Sequence, residues 1–321
     1  MKNKPADIPY GGLNAYKIKA AKPVFNQEVL EVFKYFVAER YKMHLLKDVE
    51  QQPFPWTEDK ILSMYRFTNV RREQDRNSKY LLSLMREHGN KLSLNMVCNI
   101  ILFRLFNKIE TMEYLDGWVD FGWYHEPSVR NRLSHVPEGY VYFTNAYLSS
   151  GMKKEFNKYF PAETMRVMNI PNVVHAFRNE LWNGIRFAQS PQDVIDTLKW
   201  VNGINDFLAY QIFVDLTYLD DFPWSENEFV MAGVGCKLGL DYLFKSKGKL
   251  DYDELLFWLR DNCPITREWC QEHMTDLHME ERYMNVMSLE NCMCELGKYM
   301  KTKLGVGRPR SRYKINMEET T

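Results

Sequence analysis

The sequence predicts an all-α, mainly helical protein. Three observations carry this: apolar residues recur at a 3.6-residue period through most of the chain, strand-like alternation is confined to one short run, and glycine-centred turns separate the periodic stretches. The periodicity predicts helices over 29–46, 60–67, 70–85, 93–106, 191–201, 207–219, 252–259 and 286–300. Ser190 ahead of Pro191 has the form of an N-cap followed by a first-turn proline. The strand candidate is 139–144 (GYVYFT), and one segment makes no sheet. The stretch 118–135 mixes aromatics, charges and proline, and reads as an irregular loop.

Composition bounds the function classes. With 321 residues, 45% hydrophobic and 14% aromatic, the chain can fill a sizeable core, which excludes global disorder. Its 42 basic and 42 acidic residues cancel. That excludes coating nucleic acid by bulk charge and leaves a local basic groove open. The six cysteines (Cys98, Cys236, Cys263, Cys270, Cys292 and Cys294) lack paired CxxC spacing, so no metal site is expected and thiols of a reducing cytoplasm are. No signal peptide opens the chain and no run of about 18 apolar residues could span a bilayer. The expectation is a soluble cytoplasmic protein with no membrane contact and no obligatory protein partner. Its organisation reads as a helical extension over 1–50, a main helical domain over 51–304 and a basic flexible tail over 305–321.

The densest polar pattern is 67–82, FTNVRREQDRNSKYLL. At helical spacing Asn69, Arg72 and Arg76 share one face with Asp75 at its edge, while Val70, Leu81 and Leu82 can hold that helix to a core. Such a helix is either a salt-bridged brace or a site. A second polar pair, Gln211 and Asp215, sits at i, i+4 in the otherwise apolar FLAYQIFVDLTY. A carboxylate there must be paired or working. In LENCMCELGKY, Asn291, Glu295 and Lys298 share a helix face, with Glu290 beside them.

Two glycine turns suggest DNA contacts. In 198–210, LKWVNGINDFLAY, an apolar helix end leads through Gly203 and Asn205 into a new helix. Amides at such a helix start can hold a phosphate without reading a base. In 231–240, MAGVGCKLGL, Gly233, Gly235 and Gly239 surround Lys237 and read as a second turn. The tail GVGRPRSRYK carries Arg308 and Arg310 about Pro309, a composition suited to the minor groove or to a phosphate clamp.

The segments PWTEDKILSMYRFTNVRREQDR, FRLFNKIETME, FLAYQIFVDLTY, AGVGCKLGL and LENCMCELGKY, in this order, carry a family resemblance over most of residues 55–299. The chain resembles the helical domains of 5-hydroxymethyl-deoxyuridine DNA kinases and the α-glutamyl/putrescinyl-thymine pyrophosphorylases, associated with phage base hypermodification. Their core is similar to a divergent helix-hairpin-helix DNA glycosylase, and some bacterial relatives are similar to antiphage glycosylases that excise bulky modified bases. The resemblance implies base flipping and, as the leading expectation, cofactor-free, monofunctional excision of a hydroxymethylated or glucosylated base from double-stranded DNA. Asp75 or Asp215 would be the carboxylate, with Glu295 as a further polar group. Asn69 and Gln211 would read the base edge, and Arg72 or Arg76 would grip phosphate or leaving group. DNA contacts would come from Gly203, Asn205, Gly233, Gly235, Lys237, Lys298, Arg308 and Arg310, and stacking from aromatics such as Tyr65, Trp118, Trp123 and Tyr124.

The chain departs from the glycosylase pattern in two ways. A catalytic Asp is expected about twenty residues past the hairpin glycine, which falls near Asp220, Asp221 or Glu226 rather than Asp215. Phe207 stands where bifunctional members carry a Schiff-base lysine. The alternative is a base-hypermodifying transferase or kinase acting on 5-hydroxymethyluracil, although GxxxxGK[ST] is absent from the sequence. A non-catalytic reader of modified DNA is the third class.

Overall fold

Helix follows helix, as the periodicity predicts. The structure, a computed structural model, describes residues 22–144, 163–201, 203–265, 284–309 and 311–313. Its helices are α1 (Gln27–His44), α2 (Lys60–Met64), α3 (Arg76–Glu87), α4 (Leu94–Phe106), α5 (Ile109–Glu113), α6 (Glu126–Ser134), α7 (Glu163–Ala176), α8 (Arg178–Arg186), α9 (Pro191–Leu198), α10 (Asp206–Leu216), α11 (Val234–Leu243), α12 (Tyr252–Asp261) and α13 (Val286–Lys303). A π-helical turn covers Leu45–Val49 and a 3-10 turn covers Arg72–Gln74. Strands β1 (Val24–Phe25) and β2 (Phe244–Ser246) pair antiparallel, Val24 opposite Ser246.

Local chemistry sets the helix starts. Ser190 accepts the Asp193 amide while the Asp193 carboxylate accepts the Ser190 amide, a reciprocal cap at the start of α9. Asp251 and Glu254 repeat the arrangement at α12, Ser93 caps α4, and Asp59 accepts two amides at α2. Helices apolar on every side become core. In α4 each residue from Met96 to Phe106 is buried, as is each from Leu208 to Leu216 in α10.

The chain forms two compact units. The first draws on Met1–Phe67, Val234–Tyr283 and Cys292–Thr321, the second on Thr68–Gly233 and Met284–Asn291. In the first, Phe33, Phe36, Leu62, Leu240, Leu256 and Leu296 are fully or almost fully buried. Each contributes about 1.5–3 kcal/mol by leaving water. There α11 approaches α13 so closely that a Cβ on Gly239 would lie 1.9 Å from the Met293 carbonyl oxygen. In the second, α4 packs on α10, α7 and α8, and α9 packs on α8 and α10.

Four expectations are corrected. The helix over 70–85 starts at Arg76, because a 3-10 turn and then Asp75 in extended conformation precede it, so Asn69, Arg72 and Arg76 share no helix face. The second glycine turn is helix: Gly235 and Gly239 lie inside α11, where lack of a side chain permits the approach of α13. Residues 139–144 form no strand; Gly139, at φ 74°, is the third residue of a turn closed by the Tyr140 amide on the Pro137 carbonyl, and the residues after it run as coil. The stretch 118–135 contains α6, with Pro127 in its first turn.

The tail is held rather than loose where it is described. The Arg66 amide donates to the Ser311 carbonyl at 3.1 Å and the Tyr313 amide to the Met64 carbonyl at 3.1 Å. Tyr313 also packs against Phe54 and Trp56. Arg310, Cys270, the first 21 residues and residues 314–321 lie outside the described residues.

Candidate functional site

The second unit centres on one buried carboxylate. Asp215 projects from α10 among Phe, Ile, Val and Leu and has no exposed surface. Ionised there, it must be paired and hydrogen-bonded. Arg104, from the apolar helix α4, meets both of its oxygens: Nη2 donates to Oδ1 at 2.7 Å and Nε to Oδ2. Arg72, from the 3-10 turn, donates from Nη2 to Oδ1 at 3.0 Å. One helical turn earlier, the Gln211 amide oxygen accepts Arg72 Nη1, and the Gln211 backbone carbonyl accepts Arg72 Nη2 at 3.2 Å. Two guanidiniums, an amide and a carboxylate thus join three elements.

A left-handed residue extends this cluster. Asn107 (φ 49°) ends α4, and its side-chain oxygen accepts Arg104 Nη1 at 3.1 Å and Asn77 Nδ2 at 3.1 Å. Its own amide donates to Thr144 Oγ1 at 3.0 Å.

The 3-10 turn is braced from both sides. Asn69 donates from its backbone to Asp75 Oδ1 at 2.9 Å and from Nδ2 to the Gln74 carbonyl at 2.9 Å. Asn291 Nδ2 donates to Thr68 Oγ1 at 3.0 Å and to the Asn69 carbonyl at 3.4 Å. Arg71 Nε donates to Glu73 Oε1 at 2.5 Å. Two buried side-chain oxygens on this turn, Glu73 Oε2 and Gln74 Oε1, accept no hydrogen bond from the described residues. Burial pushes the nearby Tyr218 phenol well above 10, against the pull of Arg72 and with the help of Glu226, Glu73 and Asp215.

Of the expected site residues, the structure brings together Arg72, Gln211 and Asp215. Asn69 and Asp75 shape the turn beside them. Arg76 turns to the surface and pairs with Glu110 at 2.9 Å. In the first unit Glu295 is buried, with Lys298 Nζ 2.7 Å from Oε1 and no partner on Oε2 among the described residues. Burial works against the Lys298 charge, yet the neighbouring Glu295 keeps its ammonium above its usual range.

The expected DNA contacts fall in both units. Gly203 takes φ 97° between α9 and α10, and Asn205 caps α10 by accepting the Leu208 amide at 3.0 Å. The Gly233 amide donates to Glu290 at 3.4 Å. Lys237 is exposed with Nζ 5.6 Å from the Tyr252 ring, and Arg308 is exposed. Of the expected stacking aromatics, Tyr65 is buried under Arg312, Trp118 stacks on His88, and Tyr124 lies between Phe121 and His175. Trp123 stands 87% exposed.

Sequence reasoning missed Arg104, Asn107, Glu73 and Gln74. Arg104 carried a signal, a guanidinium inside LNMVCNIILFRLF, which can be buried only against a carboxylate. The other three carried none, since polar residues at a helix end and in a turn are commonplace. Among the described residues no group of three His, Cys, Asp or Glu side chains is placed to hold a metal ion, and no helix is long and apolar enough to cross a membrane.

Fold and site define an all-α protein whose second unit is organised around a buried Arg–Asp–Arg cluster bordered by a polar turn. Residues 27–306 match the family model described as 5-hmdU DNA kinase, helical domain, and the chain belongs to that family. It is similar to the 5-hmdU DNA kinase of Bacillus phage SP10, 24% identical over 301 residues, covering 86% of this chain and 46% of that relative. The chain thus spans about half the length of that curated relative. No solved structure matches it. These comparisons name a kinase and not a glycosylase. They favour the transferase alternative over base excision.

Proposed function

We propose that this chain is a DNA-handling part of a base phosphotransferase: it binds DNA carrying 5-hydroxymethyluracil and holds that base for phosphoryl transfer to its hydroxymethyl oxygen. The observation that carries the reading is the family match over residues 27–306. A base buried in a duplex must first be extruded, and phosphoryl transfer then depends mainly on positioning and charge stabilisation. A cluster locked by Arg72, Arg104 and Asp215 suits the positioning task, because its members are held by one another before any ligand arrives. The same locking argues against excision. Both Asp215 oxygens already accept guanidinium protons, and the buried carboxylate has no surface to offer an oxocarbenium-like sugar. The phosphoryl donor in this reading is a nucleoside triphosphate, a co-substrate rather than a resident cofactor.

The test is fluorescence anisotropy and nucleoside mass spectrometry on duplexes carrying thymine or 5-hydroxymethyluracil, incubated with the chain with and without ATP and Mg2+. Tighter binding of the hydroxymethyluracil duplex, with its base left on the sugar, supports the reading, and an ATP-dependent phosphoryl mass gain on that base would assign the transfer itself to this chain. Base release without nucleotide overturns it in favour of a glycosylase.

A further inference from the structure

The 3-10 turn Arg72–Gln74 is held more firmly than a three-residue surface turn requires. Arg72 ties it to α10, Asn69 ties its last carbonyl, and Arg71 fixes one oxygen of Glu73. Among the groups that the bracing leaves over are two acceptors. Glu73 Oε2 and Gln74 Oε1 are buried oxygens without a donor among the described residues, on consecutive positions. Native proteins rarely leave such groups unsatisfied, and a braced pair of them is a place where a ligand's donors complete the structure.

We propose that this turn is the base-recognition element, Glu73 accepting the hydroxyl proton of the hydroxymethyl arm and Gln74 accepting the ring N3–H of the uracil. The assignment rests on the preceding reading of the chain as a binder of hydroxymethyluracil DNA. It follows from donor count. A 5-hydroxymethyluracil offers two donors on its exposed edges, the imide N3–H and the arm hydroxyl, and its two carbonyls only accept. An ionised Glu accepts and never donates, so it suits the hydroxyl, the group that thymine lacks. A glutamine oxygen suits N3–H, while its amide nitrogen can reach a neighbouring carbonyl of the same ring. Sites that hydrogen-bond a substrate hydroxyl reject the analogue lacking it, because the site's polar group is then left unpaired. Glu73 would therefore set the preference for hydroxymethyluracil over thymine, and Gln74 the affinity for both.

Fluorescence-anisotropy titration of the whole chain tests this with duplexes differing at one base, thymine or 5-hydroxymethyluracil. The wild type should favour hydroxymethyluracil by about tenfold, the scale of one buried charge-assisted hydrogen bond. Glu73→Met should bring that ratio close to one, and Glu73→Gln, which keeps an acceptor oxygen, should retain part of it. Gln74→Met should weaken both duplexes about equally and leave the ratio intact. Unfolding midpoints, measured alongside, should stay at the wild-type value in Gln74→Met and fall only slightly in Glu73→Met, which loses the part-exposed contact with Arg71. An undiminished ratio in Glu73→Met overturns the assignment, as does a collapse of the ratio in Gln74→Met. Equal binding of the two duplexes by the wild type overturns the reading beneath it instead.

Discussion

Arg104 and Asp215 lie 111 positions apart and meet at 2.7 Å in the core of the second unit, Nη2 to Oδ1. Arg104 also engages the second carboxylate oxygen, so the pair is two-pronged, with side chains 2% and 1% exposed. Taken alone such a pair adds little net stability, because both charges have been removed from water. What it adds is intolerance of the loss of either partner.

Removing one partner is accordingly costly. Asp215→Asn leaves Arg104 and Arg72 facing each other without their shared anion, and Arg104→Met leaves a buried carboxylate short of its main donor. Each should lower unfolding free energy by about 3–5 kcal/mol, read as a drop in urea midpoint at unchanged slope. A loss of activity in Asp215→Asn without such a drop would mean that the carboxylate acts on substrate rather than on the fold.

The glycines of α11 should behave as packing residues. Gly239→Ala drives a methyl into the Met293 carbonyl, a backbone atom that cannot rotate away, and should cost about 3 kcal/mol or more. Gly235→Ala meets the Cys294 sulfur at 2.5 Å, a side-chain end that can swing aside, and should cost less. Thermal unfolding separates the two. Duplex affinity per folded molecule should be unchanged in both.

Gly203 should differ from them. At φ 97° any L residue is strained, so Gly203→Ala should destabilise by about 1–2 kcal/mol. If the connection between α9 and α10 touches phosphate, the same variant also weakens binding to modified and unmodified duplex equally, since a phosphate contact carries no base information. Anisotropy on the two duplexes gives that comparison.

His175 supplies the pH dependence. Burial, then the neighbouring Arg178, holds its pKa below the usual 6.5 while it stacks on Tyr124 at 4.4 Å. The unfolded chain therefore binds a proton that the folded chain resists. The stability His175 contributes is present above pH 6.5 and is lost as pH falls from there through the folded value. Unfolding midpoints at pH 7.5 and 5.0 should differ less in His175→Phe than in wild type.

The helices were legible where one cause acted alone. In 93–106 a mostly apolar run predicted a helix, and the structure starts α4 at Leu94 and ends it at Phe106. Pro191 after Ser190 marked the start of α9. Around Arg72 two causes competed: side-chain spacing suited a helix, but the bracing by Asn69 and Asp75 favours a tight turn followed by a cap. Spacing cannot reveal hydrogen bonds made across a turn. The glycines of 231–240 misled because a glycine that admits a neighbouring helix reads the same as one that permits a turn, and the neighbour, Met293, is remote in sequence. Gln211 and Asp215 were found as a pair, and Arg72 as a member of another group. That Arg72 closes on the pair is a contact between segments remote in sequence, and Arg104, the second guanidinium on Asp215, was hidden as a lone charge in an apolar helix.

The interleaving of the two units bears on how the protein is made. The first unit pairs Arg40, near the beginning, with Cys292, near the end, at 3.5 Å, while the segment 68–233 between them belongs to the second. A ribosome releases the chain at about 5–20 residues per second, N-terminal end first. Helix α1 therefore emerges many seconds before the partner that finishes its core. During that interval Phe36, whose ring lies 4.8 Å from that of Tyr299 on α13, must stay soluble without it. A nascent chain stalled or cut before residue 292 leaves that face of α1 without its partner, which makes it a natural client for chaperones and proteases.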